Sequence, residues 1–215
     1  MHNTLKKPGL TRKKKTFRAA EQDRKDVKKE RESFQKEIPL LPAGRPVFID
    51  ESGAALNMAR SHARSPKGKR AHSKKPCIRG KRITMTDAVG LDGVRASLTV
   101  EGAVNGDFLT FVRGILCPGL RPGDIVFADT LSAHKVKGVK EAVEAAGASF
   151  RHLPAYSPDF SPIELYWSKI KSVLKKFAPR TTEQLYEAVR KAAETATEND
   201  FAGWFKSCGY CIPSG

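Results

Sequence analysis

The chain has 215 residues, a formal net charge of +16 and a pI near 9.9, which is length for one medium domain with an extension and too little for two full domains. Its N-terminus is basic with no apolar stretch behind it, and no run approaches the roughly 18 apolar residues of a membrane span, so neither a bilayer span nor a secretory signal is indicated. Four cysteines (Cys77, Cys117, Cys208 and Cys211) read as free thiols in a reducing compartment, since the lone Cys208–Cys211 CxxC has no second ligand pair to complete a zinc site, and the default expectation is a soluble cytoplasmic protein of bacterial type.

The positive charge is segregated. Residues 1–46 hold 14 Lys and Arg against 6 Asp and Glu, and residues 60–82 hold 10 against none, so these windows carry +8 and +10 and the rest sums to about −2. Basic segments beside a near-neutral core point to a polyanion, and specifically to nucleic acid, rather than to general solubility. Residues 1–45 form a basic arm or linker: TFRAAEQDRKDVKKERESFQKE is rich in helix formers but has few apolar positions, so an exposed helix is expected. Pro42, Gly44 and Pro46 mark the boundary of a domain over 46–215.

That domain opens with VFID, a short apolar run that as a buried strand would present Asp50 at its C-terminal edge. The basic loop of 60–82 has no apolar period. Two β-rich runs then flank Leu91, Asp92 and Gly93, where the Asp-Gly pair signals a hairpin. Phe108, Phe111, Val112, Ile115 and Leu116 keep helical spacing up to Pro118 and Gly119. DIVFAD is almost continuously apolar, as a strand covered on both faces should be. Ser132 can cap a helix with Val136, Val139 and Val143 on one side and Gly147 as its stop, and SFRHLP is a short strand.

After AYSPDFSP comes a helix with Pro162 in its first turn and a buried stripe of Ile163, Tyr166, Trp167, Ile170, Val173, Leu174 and Phe177. Glu164 lies on a different face with Ser168, Lys171 and Lys175. Thr181 with Gln184 reads as a capping box for a helix that turns Leu185, Val189, Ala192, Ala193 and Ala196 inward, and Phe201, Trp204 and Phe205 fold back on the core. The order predicts an α/β fold: a mixed sheet of three antiparallel strands followed by parallel ones, flanked by helices.

Ligands of open α/β sheets bind beyond the carboxyl ends of parallel strands, where both Asp50 and Asp129 are expected. On neighbouring strands about 4.8 Å apart the two carboxylates would repel, and a divalent cation is the natural remedy. Glu164 would be a third ligand, delivered by a helix. Taken singly, each acid has an ordinary structural explanation as a strand-end residue, a turn former or a first-turn glutamate. Their joint placement is what carries chemistry.

VFIDE, FADTLSAHK and LPAYSPDFSPIELYWSKIK, with 34 residues between Asp129 and Glu164, resemble the DDE transposases of bacterial insertion sequences in the mariner-related superfamily, over nearly the whole chain. The resemblance implies an RNase H-like fold, two Mg²⁺ or Mn²⁺ ions held by the catalytic residues Asp50, Asp129 and Glu164, and DNA cleavage at transposon ends followed by strand transfer into target DNA. It also implies assembly as a homodimer on DNA. Thr130, Ala155 and Ser161 depart from the family's usual Asn, Pro and Asn at those positions. The family's N-terminal helix-turn-helix region has no counterpart here, so the chain resembles a catalytic half, with DNA recognition expected from a helix-turn-helix protein of an upstream reading frame. A truncated or domesticated DNA-binding remnant without activity is the alternative.

Candidate DNA contacts are Arg64, Lys67, Lys69, Arg70, Lys74 and Lys75 in the basic loop, His134 and Lys135 beyond Asp129, and Lys171 and Lys175 behind Glu164. Backbone contacts need charge and not sequence. Tyr156 and Trp167 read as core or loop-packing residues rather than base-stacking ones.

Overall fold

The structure is a computed structural model that describes residues 18–76, 81–102, 108–130 and 138–212. Cys77, Ser132, His134, Lys135 and Val136 lie outside the described residues. Among the described residues five strands make one sheet: β1 (Pro46–Ala55), β2 (Arg82–Gly90), β3 (Gly93–Glu101), β4 (Ile125–Ala128) and β5 (Ser149–His152), in the order β3-β2-β1-β4-β5. The first three pair antiparallel, β4 joins β1 in parallel, and β5 joins β4 in parallel. This is the mixed sheet that the element order predicts. Gly93 closes the β2–β3 hairpin at φ +128°, a region open to glycine alone at little cost, and Asp92 accepts from Arg95 Nε at 2.7 Å to brace the turn.

The helices are α1 (Lys25–Glu37), α2 (Phe108–Phe111, a π turn over Val112–Leu116, then Cys117–Gly119), α3 (Val139–Ala145), α4 (Pro162–Phe177), α5 (Thr182–Glu194) and α6 (Glu198–Ser207). Strand alternation divides the interior in two. Phe48, Ala54, Ile83, Met85, Val89 and Phe127 face α1, α4, α5 and α6, while Val47, Ile49, Ala88, Ala96 and Val126 face α2 and α3. Ile163, Tyr166, Trp167, Ile170 and Leu174 are the buried stripe of α4, as their spacing predicts.

Several expectations are corrected. The strand carrying Asp50 is ten residues long and not a short run, because β2 keeps pairing with β1 as far as Ala55, opposite Arg82. Ile115 is 37% exposed: the π turn inserts an extra residue per turn and swings it off the buried stripe. Phe177 is 49% exposed as the last residue of α4, where Ala178 at φ +48° turns the chain away. Gln184 supplies its backbone N–H to Thr181, but its own side chain accepts from Arg180 N, so the reciprocal capping box belongs instead to Thr197 and Asp200.

Helix α1 also departs from the exposed arm. Val27 and Phe34 are buried, and the Phe34 ring meets those of Phe127 at 5.7 Å and Phe160 at 5.5 Å. Glu37 takes both guanidinium nitrogens of Arg151 on β5, at 2.5 and 2.8 Å, which lowers the Glu37 carboxyl below its ordinary range. Two apolar anchors and one fork thus fix a helix whose remaining surface is charged. Cys117, Cys208 and Cys211 are free thiols, with Cys208 packed in the core.

Asp200 ties α6 to α4. Lys169 Nζ donates to its Oδ2 at 2.5 Å, and Thr197 N and Oγ1 reach the same oxygen at 2.8 and 2.7 Å. Lys169 and then Thr197 pull the carboxyl down to about 2. A depressed folded-state value means that the stabilisation is whole above the ordinary aspartate range near 4 and is lost as pH falls through about 2. Asp200→Asn, which keeps the cap shape and removes the charge, should lower the melting temperature at neutral pH by a few degrees. Melts followed by circular dichroism should show that deficit shrinking steadily as the buffer is acidified across this window.

Candidate active site

The β1–β4 ladder ends at the pair Phe48 and Phe127, whose rings stack at 5.3 Å and 15°. Asp50 and Asp129 stand two residues beyond these phenylalanines, and the period of two returns their side chains to the same face, toward α4. Beyond Ala128 the β4 segment leaves the sheet, whereas β1 continues along β2. Asp50 is therefore a mid-strand residue, exposed at one edge because its parallel neighbour has departed.

Each aspartate is held by a residue that the sequence did not mark for that role. Trp167 Nε1 donates to Asp50 Oδ2 at 3.1 Å, and Trp167 is otherwise core, 2% exposed. His152 at the end of β5 donates from Nδ1 to the backbone carbonyl of Asp129 at 2.9 Å. A tryptophan two turns into an apolar stripe looks purely structural in sequence, and only its height relative to β1 shows the second use.

Glu164 sits in the first turn of α4, exposed, with Pro162 and Ile163 buried beside it. Carboxylates are favoured at that end of a helix. Its position depends on how α4 lies on the sheet, which a buried network fixes: Tyr166 Oη donates to Asp87 Oδ2 at 2.7 Å, and Ser97 Oγ donates to Asp87 Oδ1 at 2.6 Å. Asp87 stands opposite Asp50 in the β1–β2 register. Burial pushes the Asp87 carboxyl up, against the pull of Ser97 and Tyr166, and burial also raises the Tyr166 phenol, which stays a neutral donor. Asp87 was not singled out from the sequence; the available signal was an aspartate in the inward phase of an otherwise apolar strand.

Asp50, Asp129 and Glu164 line one cleft of about 400 Å³, together with Ile49, Thr130, Leu153, the stretch 154–158 and Ser161. Among the described residues its lining carries three carboxylates and no cationic side chain, and an all-oxygen set suits a hard divalent ion such as Mg²⁺ or Mn²⁺. Among the described residues no three His, Cys, Asp or Glu side chains form a closed ligand cluster, so the acids ring the cleft without converging on a preformed cage.

The basic candidates fall in two places. Lys171 and Lys175 flank a second groove, of about 410 Å³, with Arg82, Asn57 and Met58, further along α4 from Glu164. Arg64, Lys67, Lys69, Arg70, Lys74 and Lys75 are exposed in the loop between β1 and β2, outside both grooves. His134 and Lys135 are not among the described residues.

Residues 45–186 match the DDE superfamily endonuclease family, and the chain belongs to it. The fold is the RNase H-like arrangement of the Mos1 transposase catalytic domain, to which the chain is similar with a TM-score of 0.65 at 14% identity, over 93% of this chain and 92% of that one. It is also similar to Mos1 transposase in a paired-end complex with the left transposon end (TM-score 0.77, 16% identity) and in a paired-end complex with Mg (0.74, 18%), each over 96% of this chain. The chain spans 66% of the length of the Mos1 chains in those complexes. No curated protein sequence matches it.

Tyr166→Phe should test the support of α4. It leaves a buried carboxylate one donor short and should cost about 1–3 kcal/mol. Urea unfolding should show an earlier midpoint with an unchanged slope; no shift would mean that Asp87 is satisfied without the phenol.

Proposed function

We propose that this chain is the catalytic domain of a transposase, which cuts DNA at transposon ends and joins the resulting 3′-hydroxyl to target DNA. The observation that carries the reading is the gathering of Asp50, Asp129 and Glu164 around one cleft, at the point where β4 parts from β1, in a chain of the DDE endonuclease family. The three acids would hold two Mg²⁺ or Mn²⁺ ions. Such ions, when bound, activate a water or hydroxyl on one side of a phosphodiester and stabilise the leaving oxygen on the other. That Mos1 transposase has been solved with Mg and with Mn is consistent with this choice.

The protein's own contribution is placement. Trp167 fixes the rotamer of Asp50, His152 fixes the backbone that carries Asp129, and the Tyr166–Asp87 contact sets the height of Glu164. The arm, the β1–β2 loop and the Lys171–Lys175 groove supply positive charge for the DNA backbone. DNA is the partner; assembly as a dimer on it, and recognition of the ends by a separate helix-turn-helix protein, belong to the same proposal. A second reading, a DNA-binding remnant without cleavage, is favoured by one observation: Thr130, Ala155 and Ser161, the positions that depart from the family pattern, all line the cleft.

Asp129→Asn should slow metal-dependent cleavage of DNA bearing the element's ends by about a thousandfold or more while the far-ultraviolet spectrum stays unchanged. Equal cleavage by both proteins would sink the catalytic assignment, and wild type that binds but never cuts would establish the remnant. Replacing Lys171 and Lys175 together by Ala should weaken binding to any DNA sequence and reduce the salt slope of log K by about 2. An unaltered slope would remove the groove from the DNA path.

A further inference from the structure

We propose that Tyr156 is a substrate-contacting residue that stacks an unpaired base beside the carboxylate cleft, and that Arg31 of α1 is the residue that positions it. The proposal rests on the reading of that cleft as a DNA-cutting site and names how the strand is presented there.

Three independent features meet at Tyr156. Its backbone is left-handed, φ +56°, a conformation that is costly for an aromatic residue and persists only where the surroundings impose it. The residue is 45% exposed and lines the same cleft as Asp50, Asp129 and Glu164, so it is neither a core residue nor a distant surface one. Its carbonyl oxygen is gripped from behind, by Gln22 Nε2 at 2.6 Å and by an Arg31 guanidinium nitrogen at 3.3 Å.

Arg31 does more than touch that carbonyl. The same nitrogen donates to Ser157 Oγ at 2.7 Å, and the guanidinium forks onto Asp159 at 2.9 and 2.7 Å. It also lies 4.6 Å over the Phe160 ring, and Phe160 is in turn packed against Phe34 of α1. Arg31 thus fixes the loop at Tyr156, Ser157 and Asp159 together, a bidentate and stacked arrangement that a lysine cannot reproduce. Asp159 is held below the ordinary carboxylate range by Arg31 against the opposing effect of burial, which keeps the fork ionised at neutral pH.

A strained, externally clamped backbone that leaves an aromatic ring at the rim of an acidic cleft is poorly explained by packing. The cleft, of about 400 Å³, opens to solvent and has room for a nucleotide at its rim beside Tyr156. A base that leaves its stack as a phosphodiester approaches the three acids needs a π-face to replace the one it loses. Stacking on tyrosine supplies this without regard to sequence.

The test uses the full chain with Ca²⁺ in place of Mg²⁺ or Mn²⁺, a hard cation that screens the carboxylates, and two DNA probes lacking any element end, a blunt duplex and the same duplex with a single-stranded overhang. Wild type should bind the overhang probe more tightly. Tyr156→Ala should weaken overhang binding about tenfold while blunt-duplex binding is unchanged, and Tyr156→Phe should restore it. Arg31→Lys should lose several-fold on the overhang in the wild-type background and nothing further when combined with Tyr156→Ala, a dependence that general destabilisation would not produce. Equal affinity of wild type for both probes, or an equal loss on both in Tyr156→Ala, would overturn the proposal. The assay contains no cleavage step, so its failure is read separately from that of the Asp129→Asn experiment.

Discussion

The end of one short ladder governs this molecule. Three residues of β4, Ile125 to Phe127, pair with β1, as far as the stacked Phe48 and Phe127, and then the two strands part. Had the ladder run two residues further, Asp50 and Asp129 would have been carboxylates enclosed between paired strands and helix α4, a costly place for charge. Because β4 stops, both sit at an opening, half-buried, above an aromatic pair that seals the interior below them. The β1–β2 ladder continues past this point and keeps Asp50 paired, opposite Asp87, along its other edge.

The third acid depends on a different device. Helix α4 is apolar where it meets the sheet, and apolar contact alone resists sliding weakly, since hydrophobic burial is non-directional. Consecutive residues, Tyr166 and Trp167, convert that contact into a fixed position by donating to Asp87 and Asp50, which stand opposite one another on β2 and β1. Glu164 lies within one turn of both. Asp50 and Glu164 are thus coupled through the same two aromatic residues that build the core, and a change in α4 packing moves both acids and stability together. The arm helix adds a third constraint, through Arg31 to the loop between β5 and α4 and through Glu37 to Arg151 on β5.

Charge is arranged to match. The cleft is acidic and the flanking segments are basic, so a polyanion is attracted to the protein as a whole and repelled from the three carboxylates unless cations intervene. This is the electrostatic logic of metal-dependent phosphodiester chemistry. Membership in the DDE endonuclease family agrees with it, and the fold is that of the Mos1 catalytic domain.

The amino-acid sequence alone determined the element order, the antiparallel-then-parallel sheet and the candidate acids, because each rests on local periodicity and on a motif whose spacing is written along the chain. It also determined the apolar stripe of α4, from Ile163 to Leu174, although not that Phe177 falls past the sheet or that a π turn swings Ile115 outward. The tertiary structure decided which residues support the acids. Trp167, His152, Asp87 and Arg31 are separated from their partners by long stretches of chain, and hydrogen bonds between distant residues follow from strand register and helix height, neither of which has a local signature. The left-handed Tyr156 belongs to the same class: a tyrosine in a turn-rich segment carries no sign of strain until an arginine 125 residues earlier is found holding its carbonyl. The candidate acids were legible because the motifs that carry them are written along the chain, whereas the contacts that position them emerged only once the chain had closed on itself.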